Sequence, residues 1–376
     1  VAAAVVLTRW DPQTRDPDSL LYAKIAAQLS TEEPARWIAP RWPAAWYQQG
    51  LFRDHPVGIF ILPALLARAG YPAEQAAYAV NGVYQVGALL IAPLLAAAFA
   101  PGPHAGRLAW LLQLLPVAFV YRIRANHEPA LLLLLFVALY ATERSREAPA
   151  FTALLAAALQ GLLLVKGLMV VPAALACAAW LVARGWLERK PTRPAWLGLL
   201  AGCALLLVTV AGYEAAYRRV TGESFLEAYT ERATRADPNP VSAVSDTLYN
   251  LAWYGGRLAW MSAPWGVLAF AGWRLRRNGS DRARAGLLFA VLVTALYVGL
   301  FSLGERRAER YIFPVYFVAA AAGALVAMGR FQRLARLLAR CDSPYVPVLL
   351  WAATFGLTLL GGRLGLPRLK FWNSDV

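Results

Sequence analysis

Residues Phe151–Val182 read FTALLAAALQGLLLVKGLMVVPAALACAAWLV. The run carries one charge, Lys166, followed by Gly167. A transmembrane helix needs ~20 predominantly apolar residues. This stretch is longer than that, and a cation and a glycine divide it. It predicts two membrane-crossing helices, over Pro149–Val165 and Leu168–Ala183, with Lys166-Gly167 at the turn between them. Comparable apolar runs lie on both sides, at Ala76–Ala100, Arg107–Tyr121, Pro129–Thr142, Ala195–Tyr213, Leu258–Trp273, Ala285–Leu303, Ile312–Met328 and Val346–Leu360. Val1–Leu7 is too short to cross and reads as the outer end of a first helix whose start is missing. The prediction is an all-α, polytopic transmembrane bundle of about eleven spans. Val57–Ala69, between Pro56 and Gly70, suits an interfacial or re-entrant helix instead.

Composition agrees. The 376 residues are 59% hydrophobic and 16% charged, where soluble domains carry about 25% charged residues. Disorder and a small disulfide scaffold are excluded. The three cysteines show neither pairing nor zinc-ligand spacing. The net charge of +15 would suit nucleic acid, but its basic residues punctuate apolar runs. Short cytoplasmic loops collect Lys and Arg. The connections Glu143–Ala148, Arg184–Arg193, Arg274–Arg284 and Gly329–Pro344, together with Arg107, hold 16 basic and 5 acidic residues. If these are cytoplasmic, parity places segments 8–75 and 218–257 outside, along with the turns near Arg124–Glu128, Lys166 and Gly304–Arg310. The expected organisation is one transmembrane domain over 1–362, with external juxtamembrane helices and a short tail at 363–376.

The outer segments carry the chemistry. Leu21, Ile25 and Leu29 recur every four residues and predict a short amphipathic helix lying on the membrane. Asp18 stands where an N-cap would, and also where a carboxylate would face a cavity. Trp37, Trp42, Trp46 and Tyr47 suit a headgroup-level aromatic belt. Arg53 and His55 precede Pro56, as a phosphate contact or a surface turn. The stretch Arg122-Ile123-Arg124-Ala125-Asn126-His127-Glu128-Pro129 puts five polar or charged residues between two spans, expensive unless they face water or a ligand. Lys166 either snorkels or binds an anion. Arg310 enters the membrane boundary just ahead of a span. Carboxylates at Asp16, Asp18 and Glu128 thus share one face with His55, Lys166 and Arg310, which suits a phosphate-bearing lipid and an acid/base step.

In order and spacing these residues resemble the lipid-dependent membrane glycosyltransferases of the GT-C fold, in the branch that includes the lipid A aminoarabinose transferases and the protein O-mannosyltransferases. Pro17-Asp18-Ser19-Leu20-Leu21-Tyr22-Ala23-Lys24-Ile25 resembles the motif after the first span, where the family has an Asp-Glu pair. His55-Pro56-Val57 resembles a His/Lys-Pro-Pro-Leu box, and Lys166-Gly167 a Thr-Lys-Gly motif. Ala263-Pro264-Trp265 is similar to a Leu-Pro-Trp, and Arg310-Tyr311-Ile312-Phe313-Pro314 to an Arg-Tyr-x-x-Pro motif. His127-Glu128 occupies the place of a second acidic motif. The resemblance covers about residues 10–328. Ser19 stands in place of the family's Glu and Val57 in place of the second Pro of the box. A carboxylate pair therefore survives only if Asp16 substitutes.

The resemblance implies an inverting glycosyltransferase in a bacterial inner membrane, its site facing outward. The donor would be a polyprenyl-phosphate sugar, since nucleotide sugars are cytoplasmic. The acceptor hydroxyl would belong to a glycan, a lipid or a protein; membrane lipids are partners and nucleic acid is not. Asp18 would be the base, with Asp16 and Glu128 as further carboxylates. His55, Lys166 and Arg310 would stabilise the leaving phosphate, with Arg53, Tyr22 and Tyr311 as further binding residues. Glu128 and His127 would orient the acceptor or hold a divalent metal; no other cofactor is implied. The competing class is a non-enzymatic flippase or transporter of the same anionic carriers. It would want the cations but not a carboxylate at the sugar, and the inverted repeats common in transporters are absent.

Overall fold

The computed structural model describes residues 17–44, 50–99, 124–189, 192–233, 240–274, 281–304 and 307–330, with a few positions between 111 and 118. The expected spans at Val1–Leu7 and Val346–Leu360, most of Arg107–Tyr121, and residues Asp16, Trp46 and Tyr47 lie outside them. Among the described residues the fold is all-helical, with one isolated bridge between Arg41 and Leu51.

Twelve α-helices are described. They are α1 (Pro17–Thr31), α2 (Gly58–Arg68), α3 (Ala73–Phe99), α4 (Glu128–Arg144), α5 (Phe151–Lys166), α6 (Val170–Glu188), α7 (Arg193–Thr221), α8 (Phe225–Ala233), α9 (Pro240–Met261), α10 (Trp265–Arg274), α11 (Asp281–Ser302) and α12 (Phe313–Arg330). Among the described residues, five stretches are long and apolar enough to cross a membrane, at Ala73–Ala98, Phe151–Leu187, Arg193–Thr221, Arg284–Ser302 and Glu309–Val326. The second contains the run Phe151–Val182 with its single charge, Lys166. A straight helix of its 37 residues would measure about 56 Å, nearly twice the ~30 Å hydrocarbon core. Gly167, at φ +57°, breaks it into α5 and α6 through one 3₁₀ turn, Gly167–Met169. The protein is an integral membrane protein.

One apolar cluster runs from Leu21 to Ala324. Its axis is α4, which packs on α3, α5, α6, α7 and α12. Leu131, Leu132, Leu135, Ala138 and Leu139 are all buried there, so α4 is apolar nearly all round. Its first residue, Glu128, and its last turn, Glu143-Arg144, carry charge. The helix therefore holds two polar groups about 22 Å apart, at ~1.5 Å per residue.

Five expectations change. The helix at α1 does not lie on a membrane surface. Tyr22, Ala23 and Ala26 join Leu21, Ile25 and Leu29 in being buried, an arc too wide for one face, and the helix packs between α2 and α3. Asp18 lies inside its first turn, one residue after Pro17, rather than at the cap. Trp37 and Trp42 are buried, not part of an outer belt: Trp42 packs on Phe52 and Arg68 lies over the Trp37 ring. The expected span Leu258–Trp273 is broken. Pro264 has no N–H to continue α9, so the chain turns at Ser262-Ala263-Pro264 and restarts as α10. Finally, α7 runs past Arg218 to Thr221, and its Glu214 carboxylate accepts the N–H groups of Phe225 and Leu226, capping α8. Residues Phe225–Ala233 form α8, and α9 begins at Pro240.

Candidate active site

The candidate residues arrive from five places in the chain. Asp18 and Tyr22 lie one turn apart on α1, so they share a face. His55 ends the link into α2. His127 and Glu128 begin α4, with Pro129 in the first turn, where its missing N–H costs nothing. Lys166 is the last residue of α5, and Arg310 lies in the 3₁₀ turn Glu309–Ile312 ahead of α12. Gly58 allows α2 to sit against the end of α5: a Cβ there would meet the Leu164 carbonyl oxygen at 2.7 Å.

Two contacts define the site. Arg310 forms an ion pair with the Asp18 carboxylate, although 292 residues separate them. Tyr22 Oη lies 2.9 Å from His55 Nε2 and 3.2 Å from His127 Nδ1. His55 Nδ1 reaches the Pro56 carbonyl at 3.0 Å, and His127 Nε2 lies 3.1 Å from Glu128 Oε1. The contact with Glu128 has the distance of an ion pair but not the direction of a hydrogen bond, and neither Glu128 oxygen has a hydrogen-bond partner. Phe52, edge to face, and Phe60, stacked, complete the shell around His55.

Burial dominates the electrostatics. It lowers His55 and His127 well below the ordinary histidine value, and the positive charge of Lys166 adds to this. It raises Tyr22, with the Asp18 charge acting in the same direction. It also raises Glu128 against the opposing pull of Arg310 and Lys166. Lys166 is thus within electrostatic reach of both histidines and Glu128, and none of the ion pairs among the described residues involves it.

The remaining candidates divide. Arg53 turns away and pairs with Glu223 at 2.5 Å, tying the link before α2 to the start of α8. Tyr311 stacks on Phe301, at 5.3 Å between ring centroids. Asp16 lies outside the described residues. A divalent metal does not fit the described residues: no three His, Cys, Asp or Glu side chains converge, Asp18 is engaged by Arg310, and Glu128 has only His127 beside it.

Other residues prove to build the site. Ser19, the departure from the family pattern, is fully buried. Its hydroxyl accepts the Ala125 N–H and donates to Asn126 Oδ1, fastening the turn before α4 to α1. Asn81 of α3 donates to the Arg124 carbonyl at 2.6 Å. An amide in an apolar span is the sequence signal that finds it. Tyr229 of α8 sits over the α5–α6 break, where its hydroxyl accepts the Leu168 N–H and donates to the Lys166 carbonyl. A Cβ at Gly167 would collide with that hydroxyl, so this position needs glycine for space as well as for its positive φ.

No protein-family profile and no curated protein matches the chain. Solved structures do. A crystal structure of ArnT from Cupriavidus metallidurans bound to undecaprenyl phosphate aligns with a TM-score of 0.63 at 18% identity, over 88% of this chain and 60% of that one. The apo structure of the same ArnT aligns with a TM-score of 0.59 at 17% identity, over 96% of this chain and 70% of that one. This chain thus spans about three fifths of the length of the lipid-bound structure. Over most of its own length it has the GT-C-like fold of a lipid A aminoarabinose transferase.

Proposed function

We propose that this protein is an inverting membrane glycosyltransferase. It moves a sugar from a polyprenyl-phosphate donor to an acceptor hydroxyl, at a site on the outer face of a bacterial inner membrane. The observation that carries the reading is the Asp18–Arg310 pair, set beside Lys166 in a fold whose relative ArnT has been seen with undecaprenyl phosphate. The outward assignment rests on the helix ends. α4, α5, α6 and α12 each have one end at this site and the other at a basic connection, which suits the cytoplasm.

In this reading the acceptor oxygen attacks the anomeric carbon and its proton passes to Asp18. The bond from that carbon to the donor's phosphate oxygen breaks, and the electron pair leaves with the phosphate. That leaving group is already a stable anion and needs positive charge more than a proton. Lys166 and Arg310 supply it. Arg310 serves both partners: a donor phosphate competes with Asp18 for the guanidinium, so donor arrival frees the carboxylate to act as base. His55 and His127 hold Tyr22 from either side, one helical turn from Asp18.

The test is direct. Purified protein is incubated with a polyprenyl-phosphate sugar and candidate acceptors, and free polyprenyl phosphate is measured. Release by the wild type and not by Asp18→Asn supports the reading. Carriage of the intact donor across a vesicle membrane without sugar release supports a flippase and overturns it.

A further inference from the structure

We propose that the half of the bundle farther from the Asp18–Arg310 pair binds one acyl chain of an anionic phospholipid. The chain occupies an apolar cavity between α3, α4, α6, α11 and α12, and the headgroup lies at Arg282 and Arg284.

The cavity has a volume of about 150 Å³. The side chains lining it are apolar, and the N–H of Trp180 is already given to Glu143. A cavity so lined favours an apolar guest over water. Its walls lie well away from the candidate active site. Phe136 is about 12 Å along α4 from Glu128, at ~1.5 Å per residue. A packed layer separates the two places. Leu132 and Leu135 of α4, Val293 and Tyr297 of α11, and Phe313 and Tyr316 of α12 are each 1% exposed or less. A lipid chain therefore reaches the cavity from the far leaflet and not downward from Lys166 and Arg310. The length fits such a chain. On α12 the lining runs from Phe317 to Val326, about 14 Å, against ~15 Å for half of a ~30 Å hydrocarbon core.

The far end of the cavity has a basic rim. Arg282 and Arg284 lie one turn before Gly286 and Leu287 of the lining and so share their face of α11. Arg282 is exposed. Arg284 pairs with Asp281 through Nη2, but its Nε is buried without a hydrogen-bond partner. A buried N–H left open beside an exposed cation suits a phosphodiester oxygen. Arg184, one turn past Trp180, is held by Glu143 and the Ala98 carbonyl and does not compete for it. The connections 184–193 and 274–284, which continue the α6 and α11 walls, hold nine basic and two acidic residues. That excess selects an anionic headgroup over a zwitterionic one.

The test places the full chain in phosphatidylcholine nanodiscs that contain a trace of phosphatidylglycerol carrying a photoactivatable diazirine at the end of one acyl chain. Irradiation should label peptides covering Gly286–Ala290 and Phe317–Val326. Ala290→Phe and Ala321→Phe, which fill the cavity from two different helices, should lose most of that label. Arg282→Gln and Arg284→Gln should each lower it by about fivefold, the worth of one cation at an anionic surface. Phosphatidylcholine with the same diazirine should label these peptides weakly. Absence of label in the wild type, or label unchanged in both phenylalanine variants, would overturn the proposal. So would label unchanged in both glutamine variants, or equal labelling by the phosphatidylcholine probe. Labelling of the same peptides by a diazirine-tagged polyprenyl phosphate would make the cavity a seat for the donor's tail and overturn it as well. Sugar release is not read in this experiment, so its failure leaves the transferase reading standing.

Discussion

The two ends of α4 carry one glutamate each, in opposite circumstances. At Glu143 every carboxylate oxygen is taken. Arg184 donates to both, at 2.6 and 3.1 Å; Arg146 also reaches both, at 2.9 Å, and Trp180 Nε1 adds a bond at 2.8 Å. Arg184 further ties the group to the Ala98 carbonyl of α3. At Glu128 neither oxygen has a hydrogen-bond partner, and buried orphans gather nearby: Asn126 Nδ2 and Arg310 Nε also lack one. Native interiors satisfy nearly all buried polar groups, and the exceptions mark sites with another purpose. The Glu143 end has the chemistry of a finished joint. The Glu128 end has the chemistry of a place where another molecule supplies the missing contacts.

That contrast sets the largest expected effect. Asp18→Asn should lower sugar release by about 10³-fold or more, within the range for loss of a general base, while the melting temperature stays near wild type. The pair Arg310–Asp18 is one-third exposed on the Asp18 side, so its loss costs little stability. Near-normal turnover by this variant would remove Asp18 as the base. Glu143→Ala should behave in the reverse sense. It takes the carboxylate away from Arg184, 3% exposed, which costs about 3 kcal/mol or more of stability. Turnover per folded molecule should hold. If Glu143→Ala lowered turnover and left stability intact, the division between joint and site would be wrong. A smaller effect follows for phosphate. Lys166→Ala and Arg310→Ala should each weaken retention of polyprenyl phosphate by about tenfold, the loss of one charge-assisted contact. Unchanged affinity in both would remove them from the phosphate site.

How far the sequence could be read follows the same physics. The α5–α6 break was legible because a cation in an apolar run has few alternatives, and Gly167 beside it supplies the turn. Asp18, Lys166 and Arg310 were legible as a set because loop charge put them on one face. What packing decides was not. Trp37 and Trp42 suit a headgroup belt and a core equally well, and only burial separates the two. Proline at 264 inside an apolar run was visible, yet apolar length alone read through it. Ser19 looked like a carboxylate lost, whereas its hydroxyl brackets Ala125 and Asn126. The Tyr22 contacts join residues 33 and 105 positions apart, and no local pattern encodes such a meeting.

The smallest effect separates the two ends by acidity. His55 and His127 are held neutral in the folded protein, so their folded values lie below the ordinary ~6.5 of the unfolded chain. Below that pH the unfolded state binds protons that the folded state refuses. The histidine contribution to stability is therefore full above about pH 6.5 and is lost progressively as the pH falls toward the folded values. Carboxylates of ordinary acidity, near 4, do not titrate in the upper part of this window. The wild type should lose thermal stability between about pH 6.5 and 5 in detergent, and His127→Gln, which cannot take up the proton, should flatten that slope. The Glu143 end predicts no slope there, so Glu143→Ala should lower the melting temperature by a similar amount at both pH values. A wild-type curve flat through this window, or a slope unchanged in His127→Gln, would mean that the buried histidines are not what makes the Asp18 end sensitive to acid.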